Sequence, residues 1–221
     1  VLHMKNKIEW KISKSSINYD DAISLMEDKV LKIKKNIDKE LVWLLEHGSI
    51  YTAGTSAKEQ DMLNKKDVLV RYTGRGGQWT WHGPGQRVAY VMLDLKKRLP
   101  DVRAYVNALE EWIILTLRDF NLEGTRLEQK PGVWIKNNDN SYNKIAALGV
   151  RISSWVTWHG ISINLNPDLN AFENIVPCGI LNGSVTSFKN LDINISMNEL
   201  DQSLIKNFNI VFGDGGLFKL R

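Results

Sequence analysis

The chain has 221 residues, 43% of them hydrophobic and 24% charged, the proportions of an ordinary globular protein. That length fits one domain and can bury a core that needs no disulfides. The single cysteine, Cys178, excludes a disulfide framework and a zinc site built on several thiolates.

The formal charge of +4 is scattered along the chain, which argues against a nucleic-acid surface and suits an acidic protein partner. No run of roughly eighteen apolar residues marks a transmembrane helix, and no charged-then-apolar leader marks a secretory signal. The expectation is a cytoplasmic protein with no membrane attachment, one catalytic domain over 1–221 with its core at about 18–212. Val1 to His3 read as an addition ahead of a native start at Met4.

In chain order, Asn18 to Asn36 predicts a helix. Asn18 is a cap, Asp20 and Asp21 lie in the first turn, and Ala22, Leu25, Met26 and Ile33 are near-helically spaced. Glu40 to Leu45 and Val68 to Tyr72 predict strands. Gly74 to Gln86, with five glycines and a proline, predicts a loop. Arg87 to Leu95 is apolar and β-rich. Asp101 to Phe120 predicts an amphipathic helix through Tyr105, Leu109, Trp112, Ile113 and Leu117. Gly132 to Lys136, Lys144 to Ile152 and Trp155 to Leu165 predict strands, and polar Asn137 to Asn143 a mobile loop. Ser196 and Glu199 form a capping box opening a helix to about Phe212. The order implies an α+β fold with a mixed, mostly antiparallel sheet packed with helices.

The glycine loop is neither a P-loop nor a dinucleotide fingerprint: no Gly-Lys-Ser/Thr follows, and Trp79 stands at the third glycine position. The glycines alone suit a hairpin turn. They also let backbone approach a ligand with N–H donors free, beside Arg75, Gln78 and His82. Trp79 and Trp81, two apart, would line one face of a strand, an aromatic wall for an acyl chain. His82 and His159 each read alone as satisfied structural histidines, but each precedes a glycine, which favours a position where a strand nears a ligand; with no third ligand in view, a zinc site is rejected. Cys178 on composition alone reads as a small buried apolar residue, against which Pro177 and Gly179 place it in a tight turn rather than in a strand or helix. A reactive thiol there needs a nearby cation. Lys144 opens an apolar segment and, from that segment alone, reads as an exposed strand-end lysine.

Together these segments resemble the lipoyl(octanoyl) transferases. The resemblance rests on Arg75-Gly76-Gly77-x-x-Thr80-x-His82-Gly83-Pro84-Gly85-Gln86, on Lys144-Ile145-Ala146-Ala147-Leu148-Gly149-Val150-Arg151, on His159-Gly160 and on Pro177-Cys178-Gly179. It implies a fold similar to the biotin and lipoate protein ligases, and transfer of an octanoyl group from octanoyl-acyl carrier protein to a lysine. The implied acceptors are the lipoyl domains of 2-oxoacid dehydrogenase complexes and the glycine cleavage H protein. It makes Cys178 the nucleophile and Lys144 the residue that lowers its pKa. The implied substrate-binding residues are Arg75, Gly76, Gly77, Gln78, Trp79, Thr80, Trp81, His82, Ala147, Leu148, Gly149, His159, Gly160, Ile161 and Ser162. The enzyme is expected to be a monomer that uses no cofactor, no metal and no nucleic acid. A ligase of the same fold would instead adenylate a free acid with ATP and need no cysteine. From another class, the pI of about 9.0 and the tryptophans would suit a non-catalytic nucleic-acid or protein-binding module.

Overall fold

The computed structural model describes residues 8–64, 68–176, 184–214 and 216–219. The elements are β1 (Glu9–Ile12), α1 (Tyr19–Lys34), β2 (Leu41–Leu45), β3 (Ile50–Ala53), β4 (Val70–Tyr72), β5 (Trp79–His82), β6 (Gln86–Met92), α2 (Val102–Arg118), β7 (Gly124–Leu127), β8 (Lys130–Lys136), β9 (Tyr142–Ser153), β10 (Val156–Asn164), β11 (Ser184–Val185) and α3 (Met197–Phe212).

The helices begin where the capping chemistry dictates. Asn18 accepts from Asp20 N at 2.8 Å, Asp101 from Ala104 N at 2.9 Å, and Ser196 and Glu199 make a reciprocal capping box. The apolar stripe of α2 is wholly buried at Tyr105, Leu109, Trp112, Ile113 and Leu117. Trp112 Nε1 donates to Leu204 O at 2.8 Å, fastening α2 to α3. Truncating a buried Trp of this kind to Ala costs about 3–5 kcal/mol.

The main sheet runs β1-β2-β6-β10-β9-β8-β7, with β11 added on β9. Only β1 with β2 and β11 with β9 pair in parallel among these described strands. One face carries α2 and α3 over the principal core, and the other carries α1 through Ala22, Met26 and Ile33. This is the α+β architecture with a mostly antiparallel sheet that the sequence implied. Among the described residues no helix is long and apolar enough to cross a membrane.

Two loop expectations need correction. Gly74 to Gln86 is not loop throughout, since Trp79 and Trp81 alternate into a small separate core and make β5 a strand on β3. A second sheet, β4-β3-β5, results. Asn137 to Asn143 closes the β8–β9 hairpin as a bonded turn rather than a mobile loop: Asn137 N donates to Ser141 O at 2.9 Å, and Asp139 accepts from Ser141 N at 2.9 Å. The β9–β10 hairpin turns on Ser154 (φ 54°) and Trp155 (φ 69°), the left-handed pair that a two-residue turn between twisted strands favours.

Candidate active site

Between the β6–β10–β9 surface and the Arg75–Gly77 segment lies a cavity of about 380 Å³. That is within the ~300–1,000 Å³ usual for small-ligand sites. Its floor is two rungs of the main sheet, Tyr90–Gly160–Gly149 and Val88–Ser162–Ala147. The glycines keep side chains out of the first rung. A Cβ at Gly149 would come within 2.9 Å of Arg75 Cδ, and one at Gly160 would run into the carbonyl of Ala89. Leu148 and Ile161 border the cavity too, but alternation turns Ile161 into the main core and packs Leu148 against it.

The roof is held by its own hydrogen bonds. Gly76 N–H donates to Val150 O at 2.8 Å, so it is not one of the free N–H donors that the glycines suggested. Arg75 is buried and clamps the loop: Nη2 donates to Thr52 O (2.7 Å) and Gln78 O (2.9 Å), and Nη1 to Gly76 O (3.0 Å). Gly77, at φ +85°, takes a backbone conformation that suits glycine.

Of the expected binding residues, all but Trp81 border this cavity. Trp81 packs edge-on to Phe172, with centroids 5.5 Å apart, and its Nε1 donates to Ser49. Trp79 reaches the cavity edge while its Nε1 donates to Lys58 O at 2.7 Å. The two indoles serve mainly the small core rather than an aromatic wall.

The wall consists of Tyr19, His82, Tyr90 and His159. Burial pushes His82 down to about 3, helped by the nearby His47, and burial with Arg75 pushes His159 down to about 3. Both are neutral at pH 7. Burial raises the Tyr90 phenol well above its ordinary value. His159 has φ +58° in mid-strand. This breaks the alternation of β10 and brings its ring beside Tyr90, centroids 6.0 Å apart, on the cavity side. His47 is buried between Ile17 O and the Tyr90 hydroxyl, both at 2.7 Å.

Lys144 is not an exposed strand end. It is 6% exposed, lies within β9, and holds its Nζ 4.6 Å from the Trp134 ring centroid. It lines a small cavity that shares Trp79, Thr80, Ala147 and Ser162 with the large one. Cys178 lies outside the described residues. The chain on either side of it is described: Val176 N–H donates to Asp61 O at 2.7 Å, Val185 lies opposite Lys144 in register, and Thr186 N–H donates to Lys144 O at 2.9 Å.

Sequence reasoning missed Tyr19, Val88 and Tyr90 as cavity residues, and Trp134 as the support of Lys144. Gln86, Val88 and Tyr90 alternate along β6 and could have been found by their period. Tyr19 and Trp134 reach the site only through tertiary packing.

The lipoyl protein ligase A/B catalytic domain family model matches residues 18–209. An octanoyltransferase of Parvibaculum lavamentivorans is 52% identical over 210 residues, covering 94% of this chain and 93% of the relative. One of Paramagnetospirillum magneticum is 50% identical, covering 95% and 99%. The chain belongs to the octanoyltransferase family. Among solved structures, the bipartite lipoate protein ligase of Thermoplasma acidophilum superposes with a TM-score of 0.70 at 16% identity, covering 92% of this chain and 83% of that one. A lipoate-protein ligase A bound with ATP gives 0.68 at 14%, covering 91% and 84%. At such identities these establish the lipoate-ligase type of fold for this octanoyltransferase family member.

Proposed function

We propose that this octanoyltransferase takes its acyl group from octanoyl-acyl carrier protein as a thioester on Cys178, then passes it to a lysine of a lipoyl domain. The observation that carries this reading is the burial of Lys144 beside the apolar cavity, with β11 returning next to it a few residues after Cys178. A cation placed beside the cavity, next to the chain that follows Cys178, is what a reactive thiol needs in order to ionise near neutral pH.

The chemistry is balanced without ATP. The Cys178 thiolate attacks the donor thioester, the carrier's sulfur leaves as a thiolate and takes the proton of Lys144, and one thioester replaces another. The acceptor amine then attacks, and passage from thioester to amide is downhill. Lys144 as a cation favours the thiolate and as an amine accepts the proton that the acceptor loses. The acyl chain lies over Val88, Ala147 and Gly160, where each buried methylene contributes about 0.8 kcal/mol. A covalent intermediate lets the two protein substrates visit in turn. The cytoplasm, where a lone thiol stays reduced, is the compartment this chemistry requires.

Intact-mass measurement after mixing with octanoyl-acyl carrier protein tests it. One hydroxylamine-labile octanoyl adduct on Cys178, transferable to a lipoyl domain without ATP or Mg²⁺, is expected. Strict dependence on ATP with free octanoate, or a labile adduct that persists in Cys178→Ser, would overturn it.

A further inference from the structure

A buried hydrogen-bond chain behind the cavity wall decides which atom of His82 carries its proton. Asn164 Nδ2 donates to Thr186 O at 3.0 Å, so Asn164 Oδ1 is left to accept. Gln86 Nε2 donates to that Oδ1 at 3.0 Å and to Trp81 O at 3.3 Å, which commits the amide hydrogens of Gln86. Gln86 Oε1 can then only accept, and its partner, 2.7 Å away, is His82 Nδ1. Two acceptors do not face each other at that distance, so the hydrogen is on Nδ1. His82 Nε2, on the opposite edge of the ring, is a lone pair with no partner among the described residues. The chain is buried: Gln86 is 1% and Asn164 5% exposed.

The neighbouring pair repeats the logic. His47 Nδ1 must donate to Ile17 O, so its Nε2 accepts the Tyr90 hydroxyl hydrogen and leaves Tyr90 Oη with lone pairs alone. His82 and Tyr90 therefore turn toward the cavity as acceptors, and this side of the wall suits an N–H-bearing group rather than a carbonyl.

We infer that His82 Nε2 accepts a hydrogen bond from the ε-amine of the acceptor lysine during its attack, with Gln86 and Asn164 as the positioning residues that keep His82 in this tautomer. This rests on the acyl-enzyme reading above. In the step, the lysine nitrogen bonds to the acyl carbon, the C–S bond breaks and the sulfur leaves as thiolate. A neutral amine has two hydrogens to account for: one passes to Lys144, the other stays on the amide nitrogen, and His82 holds the one that stays. Its basicity, depressed to about 3 first by burial, suits holding a hydrogen rather than removing it.

The test separates the half-reactions and reads the tautomer directly. Acyl-enzyme formation and transfer from pre-formed acyl-enzyme to a lipoyl domain are timed for the full chain and for His82→Phe, His82→Gln and Gln86→Met. His82→Phe should slow transfer by about 100-fold and by at least tenfold more than it slows acylation. His82→Gln, which restores an oxygen acceptor near the Nε2 position, should recover at least a tenth of the wild-type transfer rate. Nitrogen-15 NMR should show His82 as the Nδ1–H tautomer in the wild-type chain and a mixture in Gln86→Met. Equal slowing of both half-reactions, no rescue by His82→Gln, or an Nε2–H signature in the wild-type chain would each overturn the assignment. If the wild-type chain forms no Cys178 adduct, the acyl-enzyme reading falls and this role falls with it. An adduct without selective loss of transfer overturns only the role of His82.

Discussion

Lys144 and Ala147 face the same side of β9 although they are three positions apart. In a regular strand such residues point to opposite faces. The register explains the exception: Val133 lies opposite Ala146 and Trp134 opposite Lys144, so Ile145 is an extra residue. Ile145 and Ala146 both enter the main core, and the bulge returns Lys144 to the cavity face. Without it the ammonium would point into the apolar layer under α2 and α3.

Lys144 is expected to serve twice, and two substitutions separate the roles. Lys144→Met removes the charge and keeps much of the stem, so the Cys178 alkylation midpoint should rise toward about 8.5. Lys144→Arg keeps the cation but cannot accept a proton, so it should acylate and then accumulate acyl-enzyme. An unchanged midpoint in Lys144→Met, read by iodoacetamide labelling across pH, would exclude Lys144 as the cation beside the thiol.

Trp134 should tune the same thiol from a distance. Its ring lies under the Lys144 ammonium, a contact of about 0.5–2 kcal/mol. Trp134→Leu should shift the alkylation midpoint in the same direction as Lys144→Met, but by less. A midpoint identical to wild type in a folded Trp134→Leu variant would show that the ring packs against Lys144 without orienting it.

Gly149 and Gly160 should fail differently when replaced by Ala. At Gly149 the new methyl meets Arg75 Cδ at 2.9 Å and Gly76 O at 3.3 Å, both in the cavity roof. The KM for the octanoyl donor should rise about tenfold, roughly 1.4 kcal/mol, with the fold retained. At Gly160 the obstacle is the backbone carbonyl of Ala89 in the next strand, which cannot swing aside. That variant should lose about 3 kcal/mol of stability in urea unfolding. Equal denaturation midpoints for the two would refute the distinction.

Acid should unfold the protein partly through its buried imidazoles. His82 and His159 have folded values of about 3, and His47 is also lowered, in each case chiefly by burial. Between about 6.5 and 3 the unfolded chain binds protons that the folded one does not, so stability is full above that window and falls as pH drops through it. About 2–3 kcal/mol each should be lost through His82 and His159 by pH 4.5, with His47 adding in the same direction. Urea midpoints at pH 7.5 and 4.5 measure this, and His159→Gln should lessen the drop. A pH-independent midpoint would mean that these rings are protonated or exposed in the fold.

The helices and long strands were legible because their signals are local. Asn18, Asp101 and Ser196 with Glu199 cap the three helices from their N-terminal ends, and the stripe from Tyr105 to Leu117 buries one face. β7 escaped because Gly124–Leu127 carries no run of alternating apolar residues, whereas β1 was overlooked although Ile8, Trp10 and Ile12 alternate with Glu9 and Lys11. In the site, the glycine motifs marked the backbone positions, since Gly149 and Gly160 stand where a side chain would collide. What was not legible depends on departures from periodicity. The left-handed backbone of His159 and the extra residue at Ile145 each turn a side chain to the face opposite the one alternation assigns. The wall tautomers were hidden for another reason, because Asn164, which fixes the orientation of the Gln86 amide, meets it only through tertiary packing.

The roof and floor of the cavity rest on different cores. Trp79, Trp81, Phe172 and Ile175 belong to the small one, while the β6, β9 and β10 side chains under the floor belong to the larger two. The chain enters the 177–183 stretch from the small core at Ile175 and rejoins the large sheet at β11. Sequence drift at Trp81 or Phe172 would therefore be felt first in the loop that roofs the cavity, and drift at Trp112 or Phe208 in the layer beneath its floor, each at a cost in stability.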